Sequence, residues 1–332
     1  MAQRQVTVFG GSGFIGRHLV RRLAARGDLV RVAVRDPEAA AFLKPMGDVG
    51  QIVPVFADLA RPETVAAAVA GADAVVNLVG ILFERGRQRF QALHAEGAGR
   101  VAQAAKAAGA RDLIHVSALG AAADSPSAYA RTKAAGEAAV REAFPDATVL
   151  RPSVVFGPED DFFNGLARMA RLSPVLPVLG AKPALDLSGP IPRLDLLGTG
   201  GPRFQPVYVG DVADAIVAAL DDPADRGRVF TLAGPRVFTF ADLMALVCRQ
   251  TGRRRLLLPV PLWAARIKAA FLQFLPTPPL TPDQVRLLET DNIAAPGMPG
   301  LAELGVSATD VEAVLPTYLG RFRPAAARLA RS

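Results

Sequence analysis

The sequence predicts an α/β protein built on a doubly wound parallel sheet, with a smaller C-terminal α/β lobe. Short apolar runs rich in Val, Ile and Leu alternate with helical patterns through the first half of the chain. A glycine-rich turn joins the first of these strands to the first helix. The chain has 332 residues, which is long enough for one large core or two unequal lobes.

Composition excludes several other classes of protein. The chain is 51% hydrophobic and 21% charged, which is typical of a globular protein. Its net charge of +7 comes mostly from arginines spread along the chain, without a long basic run, so we expect no nucleic-acid partner. The single cysteine, Cys248, excludes an intramolecular disulfide and indicates a reducing compartment. We expect neither a signal peptide nor a membrane-spanning segment.

The stretch from Gln5 to Leu23 predicts a nucleotide site. Gln5–Phe9 is a strand pattern, and an apolar stripe with a spacing of four follows the glycines. Glycines in this position let the backbone approach a pyrophosphate, which then lies at the helix N-terminus, as in a Rossmann fold. The alternative is a glycine turn without a ligand. The residues predicted to bind the cofactor here are Gly10, Gly11, Ser12, Gly13, Phe14, Ile15, Gly16 and Arg17.

The end of the second predicted strand, Leu29–Val34, decides between the two nicotinamide cofactors. An acidic residue here binds the ribose hydroxyls of NAD, whereas an arginine accommodates the 2′-phosphate of NADP. Arg35 comes first, Asp36 follows, and Arg17 is a second cation near the glycines. The sequence therefore favours NADP(H), with NAD(H) as the alternative. A competing interpretation of Asp36 is that it starts the next helix.

Four further strands continue the alternation, at Gln51–Phe56, Ala74–Leu78, Asp112–Ser117 and Ala147–Pro152. Asp58 and Leu59 follow the first of these strands, and Asn77 and Gly80 lie at the end of the second. All four residues are predicted to contact the cofactor. Asp58 is equally well explained as a turn residue.

Tyr129 and Lys133 stand at positions i and i+4, which places them on one face of a predicted helix. A neighbouring ammonium lowers the pKa of a tyrosine and makes it a usable proton donor or acceptor. The spacing alone is weak evidence and usually marks a solvated helix face. It gains weight here because it follows a fifth strand that ends in Ser117, in a chain with a nucleotide motif.

In this order of motifs the chain resembles the extended short-chain dehydrogenases/reductases. The resemblance implies that Tyr129 is the acid/base, that Lys133 holds the nicotinamide ribose, and that Ser117 orients a carbonyl. It also implies that the segment from Arg151 to Pro158, and Pro152 within it, borders the nicotinamide. One departure is that only twelve residues lead from Ser117 to Tyr129, fewer than in typical extended members. This departure brings turnover into question and leaves cofactor binding intact.

Three later stretches resemble one branch of that superfamily, the accessory subunit of respiratory complex I and its bacterial relatives. They are Pro158–Asn164, Phe204–Ala213, and Leu280–Val285 with Asp291 and Asn292. The resemblance implies a tightly held NADPH with a structural or assembly role. It also implies partners among the complex I subunits near the quinone-reaction region, and a cytoplasmic location at the inner face of the membrane.

The domain prediction is a Rossmann core over residues 1–157 and a smaller, interleaved lobe over residues 158–332. The lobe contains an insertion at 181–201 and a basic tail. An amphipathic helix, predicted over Pro261–Leu275, allows three interpretations: packing on its own core, docking in a partner groove, or lying on an anionic membrane surface. The histidines share no ligand spacing, so no metal site is predicted.

Overall fold

The computed structural model describes residues 3–186 and 193–324. The strands in chain order are β1 Gln5–Phe9, β2 Leu29–Val34, β3 Ile52–Phe56, β4 Ala74–Asn77, β5 Asp112–Val116, β6 Thr148–Pro152, β7 Val155–Phe156, β8 Val175–Leu179, β9 Ala184–Asp186, β10 Arg193–Asp195, β11 Arg203–Phe204, β12 Val207–Tyr208, β13 Val229–Leu232, β14 Phe238–Thr239 and β15 Leu256–Val260.

The α-helices are α1 Phe14–Ala25, α2 Pro62–Val69, α3 Gly97–Ala107, α4 Ala128–Ala143, α5 Phe162–Leu172, α6 Val209–Asp221, α7 Phe240–Gln250, α8 Leu262–Leu272, α9 Pro282–Leu287 and α10 Val311–Leu319. Short 3-10 helices cover Ala41–Met46, Pro223–Asp225 and Gly320–Phe322, and a π-helical turn covers Gln91–Glu96. Within the described part of the chain, no helix is long and apolar enough to cross a membrane.

The central sheet has seven strands in the order β3-β2-β1-β4-β5-β6-β13, and every pair is parallel. The four residues of β4 and the five of β5 are all buried, because helices cover both faces of a doubly wound sheet. The strand order reverses at β1, next to β4, which is where such sheets bind their ligands. The predicted fold class is confirmed.

The chain divides into two compact units. The first consists of Met1–Pro152, Val209–Leu232 and Ala295–Ala308 and contains the whole seven-stranded sheet. The second consists of Ser153–Tyr208, Ala233–Ala294 and Thr309–Ser332.

The second unit has its own core of aromatic and aliphatic side chains from α5, α7 and α10, including Phe163, Leu243 and Leu315. Small two-stranded sheets surround it, such as the parallel pair of β8 and β15. The described part of the predicted insertion contains the antiparallel pair β9 and β10. The last residues of the predicted basic tail, 325–332, lie outside the described residues.

The alanine-rich segment over residues 90–108 has the composition of one long α-helix, but it forms a π-helical turn followed by α3. The π turn packs against α4, where Gly136 makes the approach possible. A Cβ at Gly136 would overlap the carbonyl oxygen of His94. The extra residue of a π turn changes which side chains face a neighbouring helix, and such turns occur often at functional sites.

Helix α5 begins at Phe162, directly after three acidic residues, Glu159, Asp160 and Asp161. One of them, Asp160, is buried and ties the second unit together. Its carboxylate accepts hydrogen bonds from the Tyr318 hydroxyl (2.6 Å), the Gly157 amide (3.1 Å) and the Asn164 amide (3.0 Å). Among the described residues, no group of three His, Cys, Asp or Glu is arranged to hold a metal ion.

Candidate cofactor and active site

The glycine turn between β1 and α1 is tightly packed. Gly10 has φ of +75°, and a Cβ there would lie 3.3 Å from the backbone of Leu78 at the end of β4. The amide of Gly13 donates to the Gly10 carbonyl at 3.0 Å. A Cβ at Gly16 would overlap that same carbonyl and lie 2.5 Å from the Cα of Gly11. Gly10 and Gly16 therefore have to be glycines, as a close backbone approach to a pyrophosphate requires.

The N-terminus of α1 is suited to an anion. Its N-cap is Gly13, which is exposed; no side chain of the described residues caps the helix, and its first turn carries no acidic residue. The adjacent Ser12, Phe14 and Ile15 are half-buried. Unpaired amides and the helix dipole therefore meet at a point where a phosphate group is stabilised.

Two cations lie near this end of the sheet. The Arg17 guanidinium lies 5.2 Å from the centre of the Phe42 ring, and its Nε is 3.4 Å from the Gly13 carbonyl oxygen. Arg35 follows β2, is exposed, and has its Nη1 3.0 Å from the side-chain amide of Gln88.

The acidic residues near the same edge serve the local backbone. The Asp36 carboxylate accepts a hydrogen bond from the Ala39 amide at 3.0 Å, and it lies in a turn before the 3-10 helix. Asp58 likewise accepts from the Ala60 amide at 3.0 Å. Leu59 is buried in the core between the sheet and α3. These contacts agree with the interpretation of Asp58 as a turn residue and place Asp36 at a turn that precedes a 3-10 helix, and each carboxylate uses one oxygen for them.

The loop after β4 reaches Lys133. Asn77 is buried and accepts a hydrogen bond from the Val79 amide at 3.1 Å, which fixes the start of the loop. Gly80 is exposed, and a Cβ there would lie 3.2 Å from the Lys133 Nζ. A side chain at this position would crowd the ammonium, so glycine lets the loop backbone lie close to Lys133.

Lys133 is buried, and its Nζ donates to the Val116 carbonyl at 3.3 Å. Burial lowers the pKa of Lys133 to about 8, against the opposing effect of Glu137 one helical turn further on. Glu137 is held by a two-pronged ion pair with Arg151 of β6, at 2.9 and 2.6 Å. The sheet therefore anchors the helix turn that positions Lys133.

Tyr129 is half-buried and contacts two rings edge-on, with centroid distances of 5.8 Å to Phe90 and 5.3 Å to His94. Desolvation raises the pKa of Tyr129 to about 12. The sequence predicts the opposite direction from the nearby ammonium, so this expectation is wrong. Spacing on a helix reveals a neighbour but not the low polarity of the surroundings, which dominates here.

His94 is a site residue that the sequence analysis missed. Its Nε2 accepts a hydrogen bond from the Ile81 amide at 3.0 Å, so the proton of the neutral ring lies on Nδ1, which is 3.2 Å from Thr132 Oγ1. Burial and the Lys133 charge lower the pKa of His94 to about 3, so the ring is neutral. His94 thereby links the Gly80 loop to α4. In the sequence, the signal for this residue is a histidine within an alanine-rich segment that is predicted to be helical.

Ser117 is buried after β5, and its Oγ has no hydrogen-bond partner among the described residues. The Nε2 of His115, two residues earlier on the same face of the strand, is also unpartnered there. Pro152, at the end of β6, accepts a hydrogen bond from the Leu119 amide at 2.8 Å, which holds the loop after Ser117. Unsatisfied buried polar atoms at this position fit a site that takes a polar ligand.

The parallel sheet with its reversal at β1, the glycine turn and the buried lysine define the class of NAD(P)-binding Rossmann proteins. The chain belongs to the NAD dependent epimerase/dehydratase family, whose model matches residues 6–233. It is 38% identical over 304 residues to NADH dehydrogenase (ubiquinone) 1 alpha subcomplex subunit 9, mitochondrial, of Arabidopsis thaliana, covering 87% of this chain and 70% of the relative.

Two further comparisons concern a shorter sequence match and a similar fold. A ceramide reductase of Caulobacter vibrioides is 40% identical over 178 residues, which cover 54% of this chain and 55% of the relative. The triphenylmethane reductase of Citrobacter sp., solved with NADP(H), has a TM-score of 0.70 and 19% identity, and the match covers 94% of this chain and 99% of that structure. At that identity the likeness concerns the fold alone.

Proposed function

We propose that the protein is an accessory subunit of a bacterial respiratory complex I and holds NADPH mainly as a structural cofactor. The similarity to the Arabidopsis subunit extends over most of this chain, beyond the nucleotide-binding half, which supports a shared role. The glycine turn, the uncapped N-terminus of α1 and the Gly80 loop close to Lys133 fit a bound dinucleotide.

The whole-chain similarity carries this proposal, and the surroundings of Tyr129 support the structural role: its ring contacts Phe90 and His94, and burial raises the pKa of Tyr129 to about 12. An acid/base works best when its pKa lies near the operating pH. The protonated hydroxyl suits a hydrogen bond to a retained cofactor better than rapid proton exchange.

In this proposal the cofactor is NADPH rather than NADH. Arg35 stands exposed at the end of β2, and Arg17 lies in the first turn of α1. The Asp36 carboxylate already serves its own turn, which weakens it as a ribose ligand. The residues assigned to the cofactor are those predicted from sequence: Gly10, Gly11, Ser12, Gly13, Phe14, Ile15, Gly16, Arg17, Arg35, Asp58, Leu59, Asn77, Gly80, Tyr129, Lys133 and Pro152.

The location follows from the same role. As a complex I subunit the protein docks beside the quinone-reaction region, at the cytoplasmic face of the inner bacterial membrane. The docked state is tested by tagging the protein in its host, solubilising membranes in mild detergent, and following the tag on a native gel. Co-migration with NADH dehydrogenase activity is expected. Migration only as a small, separate species contradicts the proposal.

The cofactor is tested on the same preparation. The purified protein is denatured, and the released nucleotide is identified by chromatography and enzymatic cycling. We expect about one NADPH per chain. Tyr129→Phe should keep both the nucleotide and the co-migration, because the phenyl ring preserves the contacts with Phe90 and His94.

A second candidate is an NADPH-dependent reductase of a carbonyl substrate. The unpartnered Oγ of Ser117 favours it, because a hydroxyl there can hold a carbonyl oxygen. Ser117 directly follows Val116, whose carbonyl accepts from Lys133. The name of the Caulobacter relative, ceramide reductase, suggests a ceramide-like substrate, and sugar nucleotides and quinones are further substrates to assay. NADPH oxidation that requires such a substrate, and that is lost in Tyr129→Phe while co-migration persists, would favour the enzyme.

A further inference from the structure

Helix α8 presents its bulky apolar residues to solvent. The side that packs on the second unit is made of Ala265 and Ala269, which are buried with Val285 of α9. The opposite side carries Trp263, Ile267 and Phe271, exposed at 66%, 57% and 74%, and the turn that follows the helix adds Phe274 at 82% and Leu275 at 49%. We call these five residues the α8 stripe. Contiguous apolar surface of this kind marks an interaction site.

Two cations border the α8 stripe along its length. Each residue turns an α-helix by about 100°, so Arg266 and Lys268 lie on opposite sides of Ile267. Both are exposed, and the Nη1 of Arg266 lies 3.6 Å from the Oε1 of Glu289 in a weak ion pair. An apolar centre with a cation on each flank is the pattern of a helix that lies in a lipid interface. The long stems of Arg and Lys allow their charged ends to reach headgroups on either side.

All the charged side chains in the segment of sequence that contains α8, residues 243–282, are positive. Residues 243–282 contain no aspartate or glutamate, but five arginines and one lysine. Arg253 and Arg255 are partly committed, because they donate to the carbonyls of Phe322 and Ala170. Arg254, Arg266 and Lys268 are exposed. This segment is therefore complementary to an anionic surface.

We propose that the α8 stripe inserts into the interfacial region of a bilayer that contains anionic phospholipid. Trp is favoured at the boundary of headgroups and acyl chains, where its indole N–H keeps a polar contact, and Phe contributes apolar surface to the inserted face of such a helix. Arg266 and Lys268 bind the lipid phosphates on both sides of the stripe. The inference rests on the proposed function only in placing the protein at a membrane, and it assigns the surface that makes the contact.

The test uses the sole tryptophan of the chain, Trp263, as a reporter within the α8 stripe. The purified full-length protein is titrated with vesicles of phosphatidylcholine alone or of phosphatidylcholine mixed with phosphatidylglycerol. We expect co-sedimentation with the mixed vesicles, a shift of the Trp263 emission to shorter wavelength, and quenching by lipids brominated on the acyl chains. Increasing salt should weaken the binding.

Two double variants separate the apolar and the charged contributions while keeping the reporter. Phe271→Ser with Phe274→Ser should weaken vesicle binding at least tenfold, because both rings lose their burial in lipid. Arg266→Gln with Lys268→Gln should weaken it about fivefold for each cation removed. Lys106→Gln, which removes an exposed cation from α3, is the matched control and should bind as the wild type does. Retained NADPH and an unchanged Tm show that each variant is folded.

Two outcomes overturn the inference, and a third separates it from the proposed function. Vesicle binding that leaves the Trp263 emission unchanged assigns the contact to another surface. No binding to mixed vesicles, combined with normal co-migration with complex I, assigns the α8 stripe to a protein groove and leaves the proposed function standing. Binding to mixed vesicles by a protein that does not co-migrate supports the α8 stripe while the proposed function fails. The two proposals are thus tested separately.

Discussion

Replacing Lys133 with methionine should make the nucleotide-free protein more stable while it abolishes cofactor retention. Lys133 is buried, and its pKa falls from 10.5 to about 8 on folding because of desolvation. At about 1.4 kcal/mol per pKa unit, that difference corresponds to about 3 kcal/mol of destabilisation at pH 7. Methionine fills a similar space without a charge, so Lys133→Met should recover much of it, minus the hydrogen bond to Val116.

The stability difference between the wild type and Lys133→Met should change with pH in a defined direction. The folded pKa lies below the unfolded one, so the unfolded chain binds more protons between about pH 8 and 10.5. The stability of the wild type relative to the variant is therefore lowest up to pH 8 and rises above it. The advantage of Lys133→Met should shrink from about 3 kcal/mol at pH 7 to about 1.5 kcal/mol at pH 9.5.

The assay is urea unfolding of nucleotide-free protein, followed by circular dichroism at both pH values. Lys106→Met, at an exposed lysine of α3, is the control and should change stability by less than about 0.5 kcal/mol at either pH. A Lys133→Met variant that is less stable than the wild type at pH 7 would refute the reasoning. A difference that stays the same at pH 9.5 would refute it as well.

Three further predictions concern the cofactor and the second unit. Arg35→Ala should weaken NADPH about 10- to 100-fold in calorimetric titrations and leave NADH nearly unchanged, because it removes a charge-assisted phosphate contact; equal losses argue against the 2′-phosphate assignment. Gly16→Ala should release the nucleotide and lower Tm, whereas Gly165→Ala, in α5 with open space around it, should stabilise by about 0.5–1 kcal/mol; full nucleotide retention in Gly16→Ala contradicts the glycine-turn interpretation. Tyr318→Phe should cost about 1.5–3 kcal/mol in urea unfolding, because buried Asp160 loses its hydroxyl donor, and the loss should diminish in acid, where Asp160 is protonated; a loss that is constant with pH is inconsistent with this account.

Much of the nucleotide-binding fold follows from the sequence because its signals are local. The observed β2 matches the predicted Leu29–Val34, and β6 differs from its prediction by one residue. Continuous apolar runs mark parallel strands that are buried on both faces, and only glycine fits the turn before α1. Such signals are readable without knowledge of distant contacts.

The remainder of the site depends on contacts between distant residues. His94 reaches Tyr129 and Ile81 because the helix there has a π turn and because Gly136 lets α4 approach. Neither condition has a clear pattern in the sequence. The raised pKa of Tyr129 likewise depends on how completely other segments exclude water from the ring.

The orientation of α8 shows a limit of periodicity itself. Small and large apolar residues both follow the helical repeat, so the pattern predicts two apolar sides without saying which one packs inward. Ala265 and Ala269 permit close approach to α9 and take the inner side. Trp263 and Phe271 are consequently left outside, although a core is where such side chains usually lie.

The three-segment construction of the first unit has a consequence for synthesis and for truncated products. Val149 of β6 pairs with Val229 of β13, which the ribosome adds 80 residues later. Until then β6 is an apolar sheet edge with unpaired backbone groups, which is a template for aggregation. Chains that stop before Val229 should therefore accumulate as insoluble material or require a chaperone. No contiguous fragment contains the complete sheet without also including residues 153–208 of the second unit.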